Sequence, residues 1–331
     1  MRKYLLPDGF HTYKANLHGH TTVSDGKYTP EEIKRFYKAK GYHAVAFTDH
    51  EVLIDHSDLT DDGFIALNGY EMAFKADGPD KRTGNHMKAY HLCLIATEPD
   101  NLSMVGFSPA YVTPGNAAAY VPYVSFRGGI YQREYSVENV NEVIRLGREN
   151  GFFVTYNHPR WSLHTAADYA PLCGLSAVEV YNSGCDYIGD NNAEPYDVLL
   201  RRGNMLLPLA TDDNHGDSEM FGGYTAILAP RLSYPALTHA LMRGDMYATT
   251  GPVLTELYCE DGKVRVSMSP AVSVRLRTDG RHKIGCIADK GNPVTSATLP
   301  IPDDVRYIRL EITDAAGKTA WTRAYFPEEF R

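Results

Sequence analysis

A chain of 331 residues, 43% hydrophobic and 22% charged, has the composition of a water-soluble globular protein large enough to bury a barrel-sized core. Its 33 basic and 41 acidic residues give a net charge of −8, so the overall field opposes a duplex nucleic-acid backbone, and no basic tract offsets it. Five scattered cysteines without a Cys-x-x-Cys pair argue against a disulfide framework and a thiolate metal site, and no apolar run suits a signal peptide or a membrane span, so a cytoplasmic protein without membrane contact is expected.

The first expected strand, residues 13–17, runs into His18-Gly19-His20-Thr21-Thr22-Val23-Ser24-Asp25-Gly26. Alternate side chains of a strand share a face, so His18 and His20 can point into one site, with Asp25 arriving from the loop beyond. Two imidazoles and a carboxylate so placed suit metal ligation; taken alone, they read equally well as loop residues in solvent. Thr29-Pro30-Glu31-Glu32 then makes a helix entrance, with Thr29 as N-cap, Ile33, Phe36 and Tyr37 on the apolar face, and Gly41 as the stop. Residues 44–47 form a short apolar strand ending in Thr48-Asp49-His50. Similar units follow, with 64–67 leading to Gly69-Tyr70-Glu71 and His91 opening the apolar run 92–96.

The segment 75–88, with Lys81 and Arg82, reads as a solvated loop. Residues 101–135 are irregular, contain glycine and proline, and are rich in aromatics, which suits a lid or substrate wall and equally a packed excursion or subunit contact. Farther on come a helix over 136–150, a strand over 152–156 delivering Asn157-His158-Pro159-Arg160, and a strand over 177–181. A helix near 195–202 precedes the strand 206–210, which ends in Thr211-Asp212-Asp213-Asn214-His215; the strand 224–228 and a helix near 235–242 complete the pattern.

Strands alternating with helices imply a mainly parallel sheet, and polar residues recurring at strand C-termini are what the active face of a β/α barrel requires. An open doubly wound sheet would instead gather its site at one crevice. No glycine-rich phosphate loop supports a nucleotide cofactor. From residue 251 the pattern changes to period-two alternation over 264–268, 272–277 and 307–313, with turns at Glu260-Asp261-Gly262 and Asp314-Ala315-Ala316-Gly317. The expected organisation is an α/β barrel over 1–250, with the insertion at 101–135, and a small antiparallel β domain over 251–331 packed on it.

The ligand candidates are therefore His18, His20, Asp25, His50, Glu71, His91, His158, Asp213 and His215. Their contexts, His-x-His-x4-Asp, Thr-Asp-His, Gly-x-Glu, His-Leu, Asn-His-Pro and Asp-x-His, resemble the polymerase and histidinol phosphatase (PHP) family of metal-dependent phosphoesterases over about residues 13–215. Any one dipeptide is weak; the set is specific. The resemblance implies a distorted seven-stranded β/α barrel with two or three divalent metals, zinc, manganese or iron, at the strand C-termini. Carried over by position, His18, His20, Glu71 and Asp213 hold one metal, Glu71 bridges to a second held by His91 and His158, and Asp25, His50 and His215 hold a third. Asp25 stands where some members use histidine. The barrel followed by β strands also resembles, more loosely, the carbamate-hydrolase-like subgroup.

Asp212 and His86 are rivals of Asp213 and His91; the Asp-x-His spacing and the strand after His91 decide for the latter pair. Asp49 suits a supporting hydrogen bond rather than coordination. His11, His43, His56, His164 and His239 lack partners at ligand spacing and read as surface or core residues. The resemblance implies hydrolysis of a small phosphate ester by a hydroxide held in the cluster, with Asp213 orienting the nucleophile and His215 or His20 protonating the leaving group. Arg160, two residues past His158, and Arg243, on the last barrel helix, are candidate substrate anchors because a guanidinium binds phosphate oxygens bidentately. Amide or carbamate hydrolysis is the alternative chemistry, and a catalytically silent binding module the alternative of another class.

Overall fold

The computed structural model describes residues 2–76, 86–112, 117–189, 191–289 and 291–331; Lys81 and Arg82 of the expected solvated loop lie outside the described residues. β1 (His11–Asn16) leads through the histidine-bearing loop to α1 (Pro30–Ala39). α1 starts at a reciprocal cap, in which the Thr29 hydroxyl accepts from the Glu32 amide at 3.3 Å and the Glu32 carboxylate accepts from the Thr29 amide at 3.1 Å. Ile33 and Tyr37, four residues apart, form its buried stripe. β2 (Ala44–Phe47) is buried throughout, as an unbroken apolar run requires.

β3 (Ile65–Lys75) and β4 (Ala89–Ala96) form an antiparallel pair, followed by the insertion and α2 (Val137–Glu149), which Ser136 caps and Val140, Val143 and Ile144 anchor. Then come β5 (Phe152–Tyr156), β6 (Ala177–Asn182), α3 (Glu194–Arg201), β7 (Leu207–Thr211), β8 (Tyr224–Ala229), α4 (Tyr234–Arg243) and β9 (Met246–Thr249). The strands lie in the order β7-β6-β5-β4-β3-β2-β1-β8-β9, so the fold is α/β with a mixed sheet.

The expectation of a mainly parallel sheet needs correction at β4, which runs antiparallel to both β3 and β5, and at β8, which runs antiparallel to both β1 and β9. A glycine reads as a strand end, yet β3 passes straight through Gly69. A Cβ there would lie 3.0 Å from the Leu94 carbonyl, so the glycine permits close approach of β4. The reversal has a consequence for the site. Because β4 runs opposite to its neighbours, its beginning, at His91, lies where the others end, and His91 pairs in register with Ala73.

The first and seventh strands of this run meet just beyond their ends. The Asp213 amide donates to the His18 carbonyl at 2.9 Å, and the His20 amide donates to the Asn214 carbonyl at 3.1 Å. Backbone hydrogen bonds thus tie the two histidine-bearing loops together, which fixes the side chains on them.

The C-terminal strands are antiparallel. β10 (Leu254–Glu260), β11 (Lys263–Ala271) and β14 (Val294–Pro300) form one sheet with the two-residue strand Lys3–Tyr4, and β12 (Ser273–Thr278), β13 (Ile284–Ile287), β15 (Ile308–Thr313) and β16 (Thr319–Thr322) continue the large sheet from β9. Leu257, Val264 and Val266 of the first sheet pack with Leu276, Leu310 and Ile312 of the second. Buried Arg309 of β15 reaches α3 through two 2.8 Å hydrogen bonds to Asp197.

The insertion is a string of short turns. Met104, Val105, Phe107 and Tyr111 are buried, whereas Tyr123 is exposed. It is a packed excursion that also supplies a wall, since Tyr111 lines the cavity described next.

Candidate metal centre

β1 ends one residue before Leu17, and the extended backbone beyond it sends His18 and His20 to the same side, with their Nε2 atoms 3.2 Å apart. Asp213, from the loop after β7, places Oδ1 at 3.2 Å from the first and 3.0 Å from the second. Glu71, in the middle of β3, has Oε1 at 3.3 Å from ring nitrogens of His18, His91 and His158, and Oε2 at 3.1 Å from His50 Nδ1. Asp25 lies at 3.7 Å from His50 and 3.5 Å from His215.

All nine sequence candidates fall into four mutually close donor groups: His20-Asp25-His50-His215, His18-Glu71-Cys93, His18-His158-Asp213 and Glu71-His91-His158. The grouping differs from the expected partition, since His20 joins Asp25, His50 and His215 as well as touching Asp213, His158 joins His18 and Asp213, and Glu71 shares no group with Asp213. Cys93 is the addition, but burial pushes its thiol up to about 11, leaving it protonated near neutrality. All five cysteines are free.

The donor set fits divalent cations. Imidazole and carboxylate atoms converge while several buried ones, His20 Nδ1, Glu71 Oε2 and His91 Nδ1, lack a hydrogen bond of acceptable geometry. Glu71 Oε2 and His91 Nδ1 lie near oppositely polar atoms yet are not aimed at them, as atoms directed at a shared ion would be. Burial would raise the Glu71 carboxyl, but His18, His91 and His158 outweigh it and hold it well below the usual range. Asp213 is likewise held down against burial by His18, His20 and His158. Burial, with His50 and His215 alongside, pushes His20 down to about 4, so its ring is neutral and free to ligate.

Three supports were not read from the sequence. Glu179, buried in β6, accepts from His18 Nδ1 at 2.7 Å, the His158 amide at 2.7 Å, Asn182 at 2.9 Å and the Thr211 hydroxyl at 2.7 Å. Asn157 donates to Glu71 Oε1 at 2.8 Å. Glu51, next to His50, pairs with the buried Arg133 of the insertion at 2.6 and 2.8 Å. Glu179 had a signal, a lone carboxylate in an otherwise apolar strand; Arg133 had none. Asp49 accepts from Thr21 and Ser24 at 2.7 to 3.1 Å and so shapes the loop between His20 and Asp25.

Asp212 turns away from the donors into a cage made by the Tyr37 hydroxyl and the Phe221, Gly222 and Gly223 amides, and burial raises it to about 6. His86 is exposed and in none of the donor groups. The bland reading of the other histidines agrees with their places: His56 stacks on Phe47, His164 sits between the Tyr135 and Tyr156 hydroxyls, and His239 pairs with Glu98. Arg243 is a correction, since it pairs with Asp245 at 2.7 Å and lines a separate cavity beside Leu207, the first residue of β7, whereas Asp213 follows that strand's other end. Arg160 is exposed, with its guanidinium against Gly189 and outside the cavity lining.

Seven of the nine donors, all but His18 and His20, line a cavity of about 350 Å³, walled also by Lys75, Tyr111, Trp161 and Tyr187, a size suited to a small organic ligand. Among the described residues no helix is long and apolar enough to cross a membrane.

Among solved structures, a two-domain protein from Bacteroides vulgatus containing a predicted PHP-like metal-dependent phosphoesterase is 15% identical, with a TM-score of 0.47, covering 98% of each chain. A candidate metal-dependent phosphoesterase from Bifidobacterium adolescentis is 18% identical (TM-score 0.37; 64% of this chain, 90% of that one). An amidohydrolase from Chromobacterium violaceum with bound sulfate is 15% identical (TM-score 0.38; 70% and 96%). These likenesses are too slight to carry an argument, and no curated protein matches the chain. The PHP domain family model, in contrast, matches residues 16–185, half of the chain and the stretch that carries seven of the nine donors, from His18 to His158. The chain belongs to the PHP family of metal-dependent phosphoesterases and is, as such, a hydrolase.

Proposed function

We propose that the protein hydrolyses a small phosphate ester using two or three divalent ions, zinc, manganese or iron, held by His18, His20, Asp25, His50, Glu71, His91, His158, Asp213 and His215. The observation that carries this reading is the convergence of nine nitrogen- and oxygen-bearing side chains from separate strands and loops, seven of them lining one cavity, with buried His20 Nδ1, Glu71 Oε2 and His91 Nδ1 lacking a well-directed hydrogen bond. A structural site needs four ligands and is closed, whereas a larger open set suits reaction with substrate. The finer architecture belongs to the same proposal: a distorted seven-stranded barrel within 1–250, supported by the hydrogen bonds between the His18 and Asp213 loops, and an antiparallel domain over 251–331.

Bound divalent cations would acidify a water and offset charge on phosphoryl oxygens. The chain's own part is orientation. Glu71, within 3.5 Å of ring nitrogens of His18, His20, His50, His91 and His158, sets the spacing of the cluster, and Asn157 and Glu179 hold it from behind. Asp213, whose carboxylate borders both the cavity and the histidines, directs the attacking water. His215, 36% exposed at the cavity edge, is placed to give a proton to the leaving oxygen, whereas the buried, neutral His20 is the lesser candidate. Arg160 can meet a substrate only at the rim, and Arg160→Ala tests that through the Michaelis constant.

The test is metal analysis of protein purified without chelator, with turnover of phosphomonoesters, phosphodiesters and carbamates by wild type, His158→Ala and Asp213→Asn. Metal-dependent phosphate-ester hydrolysis falling at least ~100-fold in both variants is expected. Phosphate-ester activity that survives both changes and chelation overturns the mechanism, and metal-dependent activity on carbamates alone replaces the substrate class.

A further inference from the structure

The cavity contains a cation that the metal chemistry does not use. Glu71, Ala73 and Lys75 alternate on one face of β3 and all line the cavity. Four residues of extended chain separate the Lys75 backbone from that of Glu71 by about 13 Å. Lys75 therefore approaches the cavity beyond Ala73, whose cross-strand partner is the donor His91, at the end remote from Glu71. It is the one lysine or arginine in the lining among the described residues.

The other charged groups there are engaged. Glu51 is held by Arg133, Glu219 accepts from the His215 and Gly216 amides, and Asp25 lies beside His50 and His215. The Lys75 side chain has no hydrogen bond or ion pair among the described residues, so its charge is available to a ligand. Trp161, whose ring centroid is 5.3 Å from that of His91 and 5.0 Å from that of His158, and Tyr187 add aromatic walls to the same cavity. Flat, amphipathic rings are suited to a planar organic body.

We propose that Lys75 is a specificity-determining residue that binds a second anionic group, carboxylate or phosphate, on the substrate, about one aromatic ring's length from the phosphorus under attack. This rests on the phosphoesterase reading and deepens it. The substrate class is then a phosphate ester carrying a distal anion. A lysine serves because an ammonium on a flexible stem can follow ligands of slightly different length, where a guanidinium would demand fixed bidentate geometry.

The experiment compares para-carboxyphenyl phosphate with para-tolyl phosphate, matched in shape and differing in the distal charge, on wild type, Lys75→Met and Lys75→Arg. Lys75→Met should raise KM for the carboxylated ester about tenfold with little change in kcat and leave the tolyl ester untouched, and Lys75→Arg should recover most of the loss. A Lys75→Met that changes both esters equally, or neither, overturns the anchor. Should wild type turn over neither ester, the phosphoesterase reading fails by itself. The anchor is then read from calorimetric binding of the two esters, and equal affinity of wild type and Lys75→Met for the carboxylated one overturns it.

Discussion

Glu179 governs the donors while standing behind them. By accepting from His18 Nδ1 it fixes which ring nitrogen faces the cluster, and by accepting from the His158 amide it steadies a residue at φ 27°. Glu51 at φ 65° and Asp213 at φ 50° are also left-handed, so three of the backbone positions disfavoured for side-chain-bearing residues lie in or next to the donor set and are held by its hydrogen bonds. Glu179→Ala should weaken metal binding by roughly 10- to 100-fold, read by competition with a chromophoric chelator, and Glu179→Gln less. Unchanged affinity in Glu179→Ala would mean that packing alone orients His18. Most of the nine candidates were legible in the sequence as closely spaced polar residues after strand ends, where side chains face one another, whereas Glu71 sits mid-strand and His91 near a strand's start. Arg243 was misread because a guanidinium on the last helix of the alternation can lie at either end of the sheet, and α4 finishes beside Leu207.

At the scale of elements, the insertion is pinned to the site by one side chain. Arg133 donates to Glu51 twice, to the Ala73 carbonyl at 2.9 Å and to the Gly106 carbonyl at 3.0 Å, and its guanidinium lies 4.6 Å from the Tyr111 ring centroid. Removing it would leave the Glu51 carboxylate buried without its charge partner. Arg133→Met should therefore cost about 3 to 5 kcal/mol in urea unfolding, and Glu51→Gln added to it should recover part of that. A loss below about 1 kcal/mol would show that water replaces the guanidinium. Helix caps at Thr29 and Ser136 and the buried strands were readable from local chemistry. The hairpin of β3 and β4 was not, because strand direction is set by pairing partners rather than by the strand's own residues, and the buried glycine looked like a stop.

The whole molecule is joined more tightly than a barrel with an appendage. The large sheet passes without interruption from β9 into β16, β15 and β12, and Lys3–Tyr4 at the chain's start pairs with β10 near its end. Arg309 ties β15 to α3, and the Tyr196 hydroxyl of α3 accepts from the Ala324 amide at 2.8 Å. The period-two pattern after residue 251 made the antiparallel strands legible, but these cross-connections depend on side chains far apart in sequence and left no local mark. They bear on stability because the chain's two tryptophans report on the two regions: Trp161 beside His91 and His158, and Trp321 in β16, packed in the same cluster as Tyr196 and Leu199. If the shared core couples the regions, Trp161→Phe and Trp321→Phe, each leaving one reporter, should unfold in urea with coincident transitions. Metal bound only by the native state stabilises by an amount that reaches about 4 kcal/mol at a thousand times the dissociation constant, so a chelator should move both transitions down together. A chelator that shifts the Trp161 transition while leaving that of Trp321 in place would separate the molecule into two independently folding units.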